Sequence, residues 1–325
     1  FAADRPGALS GRISIRDAHD GEIVVSGNEL GFSGRLWGKH SLSGGTGSKD
    51  ENYAIRLQYE ARARVVNVGG SLEAKGNSIA FKDCDSLLIF ITGGTDYQNR
   101  HDKGWKGKHP HAGIVDRLKR AASKTWDELL TAHIKDYQAL FNRFTLQLGE
   151  SPADAETIST PARLIAYRGQ ELATKKGMVY EQDALNLSGG RHDPGLETLI
   201  FQYARYLMIA SSRRGALPAN LQGLWNQSKD PPWRCDYHTD VNIQMNYWFV
   251  GPANLSDCFP PLSEWLWSVV PVKRESTLKK YGVRGWVHRS ENGIFGGQSY
   301  RWVPGDAPWL LQNIWDHYTF TLDEE

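Results

Sequence analysis

The chain has 325 residues, a formal net charge of +1, 40% hydrophobic residues, 12 Trp and three Cys. At roughly 150 residues per domain this length suggests about two domains. Lys and Arg are spread along a near-neutral chain, which removes the electrostatic footprint of a nucleic-acid binder, and no run approaches the ~18 apolar residues of a helical membrane span, so a soluble chain is expected. Phe1 to Pro6 hold neither a basic n-region nor an apolar h-region, so no signal peptide is expected there. Cys84, Cys235 and Cys258 are odd in number and lack metal-ligand spacing, which argues against a disulfide framework.

Residues 1–100 read as strands. Alternation runs through 11–16, 21–26, 59–68, 77–81 and 87–94, with Gly-rich turns at Gly44-Gly45 and Gly69-Gly70. Short strands at near-regular spacing predict an antiparallel sandwich. Near His111 the period changes to that of helices: Ile114, Leu118 and Ala121, then Trp126, Leu129, Leu130, Ile134, Tyr137, Leu140 and Phe141. Asp127 and Glu128 suit the start of the second helix. Residues 150–194 are polar and aperiodic and read as loop with helical pieces. A helix from Leu196 stops before Gly215 and Pro218; it is apolar almost all round, which predicts burial. Helical segments follow near 241–250, 261–281 and 307–319, with Trp315 expected in a core and Trp309, just after Pro308, as a candidate pocket wall. Helices joined by long loops rich in polar and aromatic residues suggest a helical barrel or solenoid with a site at one end.

Nine of the 12 Trp lie between Trp225 and Trp315. Either they build a core, or they line a pocket suited to sugars, whose C–H faces stack on rings while hydroxyls need polar partners. The stretch 217–248 sets Asn220, Gln222, Asn226, Asp236, His238, Asp240, Asn242, Gln244 and Asn246 among Trp225, Trp233, Tyr237, Tyr247 and Trp248. Amides donate and accept, as sugar hydroxyls do. On a helix Asp240 and Gln244 share one face and Asn242 and Asn246 another, whereas Asp240 and Asn242 diverge by ~200°. Those two converge on a ligand only if the chain is still extended there. Thr239 or Asp240 is alternatively an N-cap, and the spacing leaves cap and catalytic base open. Asp236, His238 and Asp240 also alternate as possible metal ligands, but the amide-rich setting and the lack of HExxH or CxxC weigh against zinc. Glu291, in the run from Gly285 to Asn292, reads as a solvated loop acid. Neither a phosphate loop nor a GxSxG elbow is present. Asn186, Asn226 and Asn254 fit the glycosylation acceptor pattern.

Several motifs together resemble glycoside hydrolase family 95, which contains α-L-fucosidases. They are Tyr206-Leu-Met-Ile-Ala-Ser-Ser-Arg, Leu217-Pro-Ala-Asn-Leu-Gln-Gly-Leu-Trp-Asn, Pro231-Pro-Trp, Asp236-Tyr and Met245-Asn-Tyr-Trp through Asn254-Leu-Ser. The likeness extends back through the connector to Ala3 and forward to Trp315-Asp-His-Tyr-Thr-Phe-Thr. It implies a multidomain β + α protein: an N-terminal antiparallel β-sandwich (partial, 1–110), a helical linker (111–150) and the first part of an (α/α)6 catalytic barrel (151–325). It further implies an inverting hydrolase of terminal α-L-fucosides, α-1,2-linked, acting on oligosaccharides or polysaccharides in the periplasm or outside the cell, with no metal or organic cofactor. In the family a Glu is the general acid and an Asn-x-Asn pair with an Asp activates water. That pair falls on Asp240-Val-Asn242, so position 240 departs from the pattern; a carboxylate there orients water, acts as base, or signals altered specificity or lost activity. His238 falls where the family has a sugar-contacting His. Trp225, Trp233, Asp236, Tyr237, Gln244, Asn246, Trp248 and Trp309 are the remaining substrate-binding candidates. The general-acid Glu is not found in this chain, and Glu291 is not at its position. The chain is expected to be cut within the sandwich and within the barrel, and to be poorly stable and inactive alone. The alternatives are an α-L-galactosidase, a non-catalytic carbohydrate-binding scaffold, and a metal hydrolase using Asp236, His238 and Asp240.

Overall fold

The structure, a computed structural model, describes residues 1–36, 56–168, 190–228 and 231–324. The Gly44-Gly45 turn and the acceptor site at Asn186 lie outside the described residues. The chain divides into two compact units. The first comprises Phe1–Lys135, Gln227–Arg234 and Glu264–Arg301, and the second Asp136–Asn226, Cys235–Ser263 and Trp302–Glu325.

In the first unit, seven strands form two antiparallel sheets. They are β1 (Leu9–Ser14), β2 (Glu22–Ser26), β3 (Glu29–Arg35), β4 (Gln58–Val68), β5 (Ser71–Lys75), β6 (Ser78–Cys84) and β7 (Ser86–Thr95). One sheet runs β1-β6-β5 and the other β2-β3-β4-β7. Alternation turns Ala63 and Val65 of β4 inward, beside Leu30 of β3 and Leu87 of β7. Ile79 and Cys84 of β6 meet them from the other sheet, so one buried cluster draws on both. In register, Leu30 sits opposite Ala63 and Val65 opposite Ile89. The chain passes from β4 to β5 through Gly69 and Gly70, at φ of 66° and 60°. This is left-handed backbone that costs a residue with a Cβ roughly 1–2 kcal/mol. Two strands, β3 and β5, had no counterpart in the sequence reading. Gly31 and Gly34 break the apolar pattern of β3, and β5 offers only Leu72 and Ala74.

Helix α1 (His111–Ala122) buries Ile114 and Leu118, one turn apart, and packs on β4 and β7. Helix α2 (Trp126–Phe141) opens with a capping box: Glu128 N–H donates to Thr125 Oγ1 at 3.2 Å, and Thr125 N–H to Glu128 Oε2 at 2.7 Å.

The second unit is helical. Helix α3 (Thr160–Arg168) is followed by α4 (Pro194–Ser211). Asp193 caps α4, accepting from Leu196 N–H at 3.0 Å, and Pro194 fills the first position. The same carboxylate takes a two-pronged pair from Arg163, at 2.8 and 2.7 Å, which holds it well below the usual carboxylate range. On the buried side of α4, the Arg205 guanidinium donates to the carbonyls of Leu140, Phe141 and Ala253. The expectation that α4 is buried all round is corrected. Leu196, Met208 and Ile209 are buried, but Leu199, Ile200 and Tyr203 are 43%, 53% and 58% exposed. Helix α5 (Asn242–Trp248) and α7 (Asp306–Thr321) pack on each other. Trp315 of α7, expected in a core, is 58% exposed. The helix between them in the chain, α6 (Pro260–Tyr281), carries Pro271 in its middle and belongs from Glu264 onward to the first unit. No helix among the described residues is long and apolar enough to cross a membrane.

Candidate functional site

The start of this polar and aromatic stretch, at Ala219, is held down by one buried phenol. Tyr247 Oη accepts from Ala219 N–H at 2.8 Å and bonds Ser212 Oγ at 2.7 Å; Ser212 in turn donates to the Cys258 carbonyl. Beyond Ala219 the chain turns tightly, with Asn220 and Gly223 exchanging backbone bonds and Gln222 N–H donating to Asn220 Oδ1 at 2.8 Å. Gly223, at φ 65°, lies beneath the half-exposed ring of Trp225, which a Cβ there would strike.

From Asp236 the chain runs towards α5. Asp236 Oδ2 stands 3.1 Å from His238 Nδ1, with both side chains largely buried. A carboxylate at Nδ1 favours the tautomer that donates from that nitrogen and fixes the ring. Helix α5 starts at Asn242, and its N-cap position is Val241, at φ −143° and ψ 3°. Asp240 therefore stands ahead of the helix and does not occupy its cap. Asp240 and Val241 lie in a turn, closed by Ile243 N–H donating to the His238 carbonyl at 2.8 Å, so the extended backbone expected to let Asp240 and Asn242 converge is not present at Val241, whose ψ is 3°. Both residues are exposed, whereas Thr239, Ile243 and Gln244 turn inward.

Beneath them lies a polar floor. Gln244 Nε2 donates to the Thr239 carbonyl at 2.5 Å and contacts the Asp306 carbonyl at 3.4 Å. Thr239 Oγ1 donates to Asp306 Oδ2 at 3.4 Å, and Asn313 Nδ2 to the Gln244 carbonyl at 3.1 Å. Asp306 is 2% exposed. Burial, with the charge of Asp240 adding to it, pushes its carboxyl up to about 6. Asp306 did not emerge from the sequence, where an acid after Pro304-Gly305 reads as ordinary helix-dipole complement; its separation of 67 positions from Thr239 hides the contact.

The other candidates divide into exposed and buried. Trp248, half exposed, meets the partly buried Trp309 edge to face at 6.1 Å, and Asn246 Nδ2 reaches the Asn220 carbonyl at 3.4 Å. Tyr237 is buried, its hydroxyl directed at the Pro218 carbonyl. Gln244 is likewise buried and spends its amide on backbone, so it supports the site from below. Trp233 belongs to the first unit and is exposed. Helix α5 also lines an open hollow of about 430 Å3 with Phe144, Phe201, Met245, Trp248, Phe249 and Pro252. That hollow contains none of Asp236, His238, Asp240 or Asn242, so hydroxyls would find no charged partner in its walls.

In the first unit, the short strands β8 (Glu291–Asn292) and β9 (Gln298–Ser299) pair. Glu291 accepts from Ser299 Oγ and from Arg234 at 3.4 Å, so it is tied down rather than freely solvated. Lys273 of α6 donates to Asn292 Oδ1 at 2.6 Å and Gln298 Oε1 at 2.9 Å, and His288 Nδ1 bonds the same Asn292 oxygen. Burial among these neutral partners lowers the Lys273 amine to about 7. Among the described residues no three His, Cys, Asp or Glu side chains gather as a metal-holding group.

The model of the glycosyl hydrolase family 95 catalytic domain matches residues 125–325. The chain belongs to glycosyl hydrolase family 95. The matched range contains every candidate from Trp225 to Trp309. This family 95 chain is 29% identical to "Alpha-L-fucosidase 2" of Arabidopsis thaliana, over 99% of its own length and 38% of that protein's. It is 32% identical to "Probable alpha-fucosidase A" of Aspergillus niger, over 83% of this chain and 33% of that one. The chain thus spans little more than a third of the length of these curated relatives. Among solved structures, "Putative kojibiose phosphorylase from human microbiome" shares the fold at a TM-score of 0.54, covering 97% of this chain and 36% of that one at 9% identity.

Proposed function

We propose that the complete protein is an inverting glycoside hydrolase acting on terminal α-L-fucosides, α-1,2-linked, outside the cytoplasm. In this reading the two sheets are part of the family's β-sandwich, and the helices of the second unit are the first part of an (α/α)6 barrel. The observation that carries it is the pair Asp240 and Asn242, both exposed, on either side of Val241 in the turn that leads into α5.

The chemistry follows from these groups. The Asn242 carboxamide both donates and accepts, so it can hold a water by its hydrogen and its oxygen. The Asp240 carboxylate takes the proton as the water oxygen bonds the anomeric carbon. The glycosidic C–O bond breaks on the opposite face, where a general-acid Glu outside these 325 residues protonates the leaving oxygen. An inverting arrangement leaves roughly 6.5–9.5 Å between acid and base for that water. His238, fixed by Asp236, meets sugar hydroxyls, while Trp225, Trp248 and Trp309 offer ring faces to the apolar side of the sugar.

The test is an assay of the complete protein on a panel of α-L-fucosides and α-L-galactosides, with the anomer first released read by NMR. Turnover with inversion is expected. Asp240→Ala and Asn242→Ala should each lower kcat by ~10²-fold or more. Retention of configuration, or unchanged turnover in both variants, overturns the mechanism; preference for the galactoside reassigns the substrate; binding without turnover reassigns the protein as a scaffold.

A further inference from the structure

The first unit holds a surface cluster that the proposed reaction does not use. In the β8–β9 hairpin, successive side chains alternate between two faces. Asn292 and Gln298, paired across it, turn inward to Lys273, and the paired Glu291 and Ser299 take the other face. There Ser299 Oγ and Arg234 Nη1 both donate to the same oxygen, Glu291 Oε2. Glu291 Oε1 and the Nε and Nη2 of Arg234 have no hydrogen-bond partner among the described residues. Two aromatic rings adjoin this pair in sequence: Trp233 before Arg234, 61% exposed, and Tyr300 after Ser299, 53% exposed. Trp233, Arg234 and Tyr300 all stand on left-handed backbone, at φ of 54°, 58° and 67°. Bulky residues keep that conformation only where their surroundings impose it. Here Arg234 N–H closes one turn on the Pro231 carbonyl at 3.0 Å, and Ser290 N–H fastens the Arg301 carbonyl at 2.9 Å, just past Tyr300. The Arg301 guanidinium covers one face of the Tyr300 ring at 5.3 Å.

We propose that Trp233, Arg234, Glu291 and Tyr300 form a binding site for a neutral sugar unit of the glycan, other than the terminal residue that is hydrolysed. The inference rests on the glycoside hydrolase reading above. The Glu291 carboxylate and the Arg234 guanidinium cancel in charge, so the pair does not call for an acidic or phosphorylated ligand. It sets a free acceptor beside free donors, which matches adjacent hydroxyls on a sugar ring, since each hydroxyl both donates and accepts. The exposed rings offer faces to the C–H side of the same unit. The backbone that carries these groups is already fixed by the turn at Pro231 and by the pairing of β8 with β9, so little ordering is left to be done on binding.

The test is a binding titration on the complete protein, labelled with fluorotryptophan and followed by fluorine NMR, with two probes: lactose, a neutral disaccharide without fucose, and methyl α-L-fucoside. The resonance missing from Trp233→Phe belongs to Trp233. Lactose should move it in a saturable way, and methyl α-L-fucoside should not. Glu291→Gln, which keeps the shape of the side chain and removes its charge, should weaken lactose binding about tenfold, the scale of a hydrogen bond to a charged group. Arg234→Gln should do the same, and it serves where Glu291→Gln fails to fold, as judged by the dispersion of the other Trp resonances. Tyr300→Ala should weaken lactose binding several-fold. A Trp233 resonance indifferent to lactose, or one moved by methyl α-L-fucoside alone, overturns the proposal, as does lactose affinity equal to wild type in both charge variants. Saturable lactose binding that depends on Glu291, in a protein that cleaves no fucoside or related L-sugar, supports the sugar site and overturns the hydrolase reading alone.

Discussion

At the scale of single residues, Asp306 also has a cost that can be measured. Its carboxyl is raised from 3.8 to about 6 in the folded protein. The folded state therefore binds that proton more tightly than the unfolded chain. The favourable contribution is complete below pH 4 and is lost as pH rises towards 6, leaving a penalty at neutral pH of at most ~3 kcal/mol for a two-unit shift. Asp306→Asn, uncharged at every pH, should melt close to wild type at pH 4 and above it at pH 8. A variant that melts lower at both values would mean that the carboxylate is stabilising. How much of the site was legible divides along the same line. His238, Asp240 and Asn242 stood out because amides, acids and rings crowd one short stretch. Gln244 was visible as a residue type, but its inward direction depends on where α5 begins. Asp306 was invisible because its partner lies far away in the chain and its local setting has an ordinary explanation.

At the scale of elements, two glycines with the same backbone conformation should behave differently. Gly70 between β4 and β5 and Gly76 between β5 and β6 have φ of 60° and 57°. A Cβ on Gly76 meets nothing within 4 Å, whereas one on Gly70 collides with the carbonyls of Lys82 and Asp83. Gly76→Ala should cost ~1–2 kcal/mol, the left-handed penalty alone. Gly70→Ala should cost visibly more, because backbone atoms of β6 have to move. Denaturant midpoints of the two variants check this, and equal losses would show that β6 yields freely. Gly69-Gly70 was legible as a turn, and so were β4, β6 and β7, whose apolar residues recur on one face. The strand β3 was not, because its glycines remove the side chains that alternation is read from; nor was β5, too short for its two apolar residues to form a pattern. The helix start at Asn242 was legible to within a residue or two, but its cap was not, since Val241 fills that position without a side-chain bond.

At the scale of the whole molecule, the second unit shows much apolar surface. Leu199, Ile200, Tyr203 and Tyr206 of α4 and Leu311, Trp315 and Phe320 of α7 are all exposed. Apolar patches of this kind on a soluble protein mark surfaces that bind something or associate, and a net charge of +1 offers little repulsion against association. The 325-residue chain should bind an apolar dye strongly and elute as multimers at micromolar concentration. A dye-silent, monodisperse chain would show that these faces are tolerated in water. The all-round apolar pattern of α4 predicted burial that the structure shows on one side only, because a pattern along one helix does not reveal which of its faces find contacts.

The junction at Val241 has a consequence for how the proposed site could be tuned. Asp240 and Asn242 hang on either side of one residue, so their mutual spacing is governed by its two backbone torsions. That residue is bridged on both sides: Ile243 N–H donates to the His238 carbonyl at 2.8 Å across it, and Gln244 Nε2 reaches back to the Thr239 carbonyl at 2.5 Å. Turning either torsion of Val241 would break these bonds, so the spacing of the pair is locked to the floor beneath it, and any device that parts the two groups must first unpick that bracing.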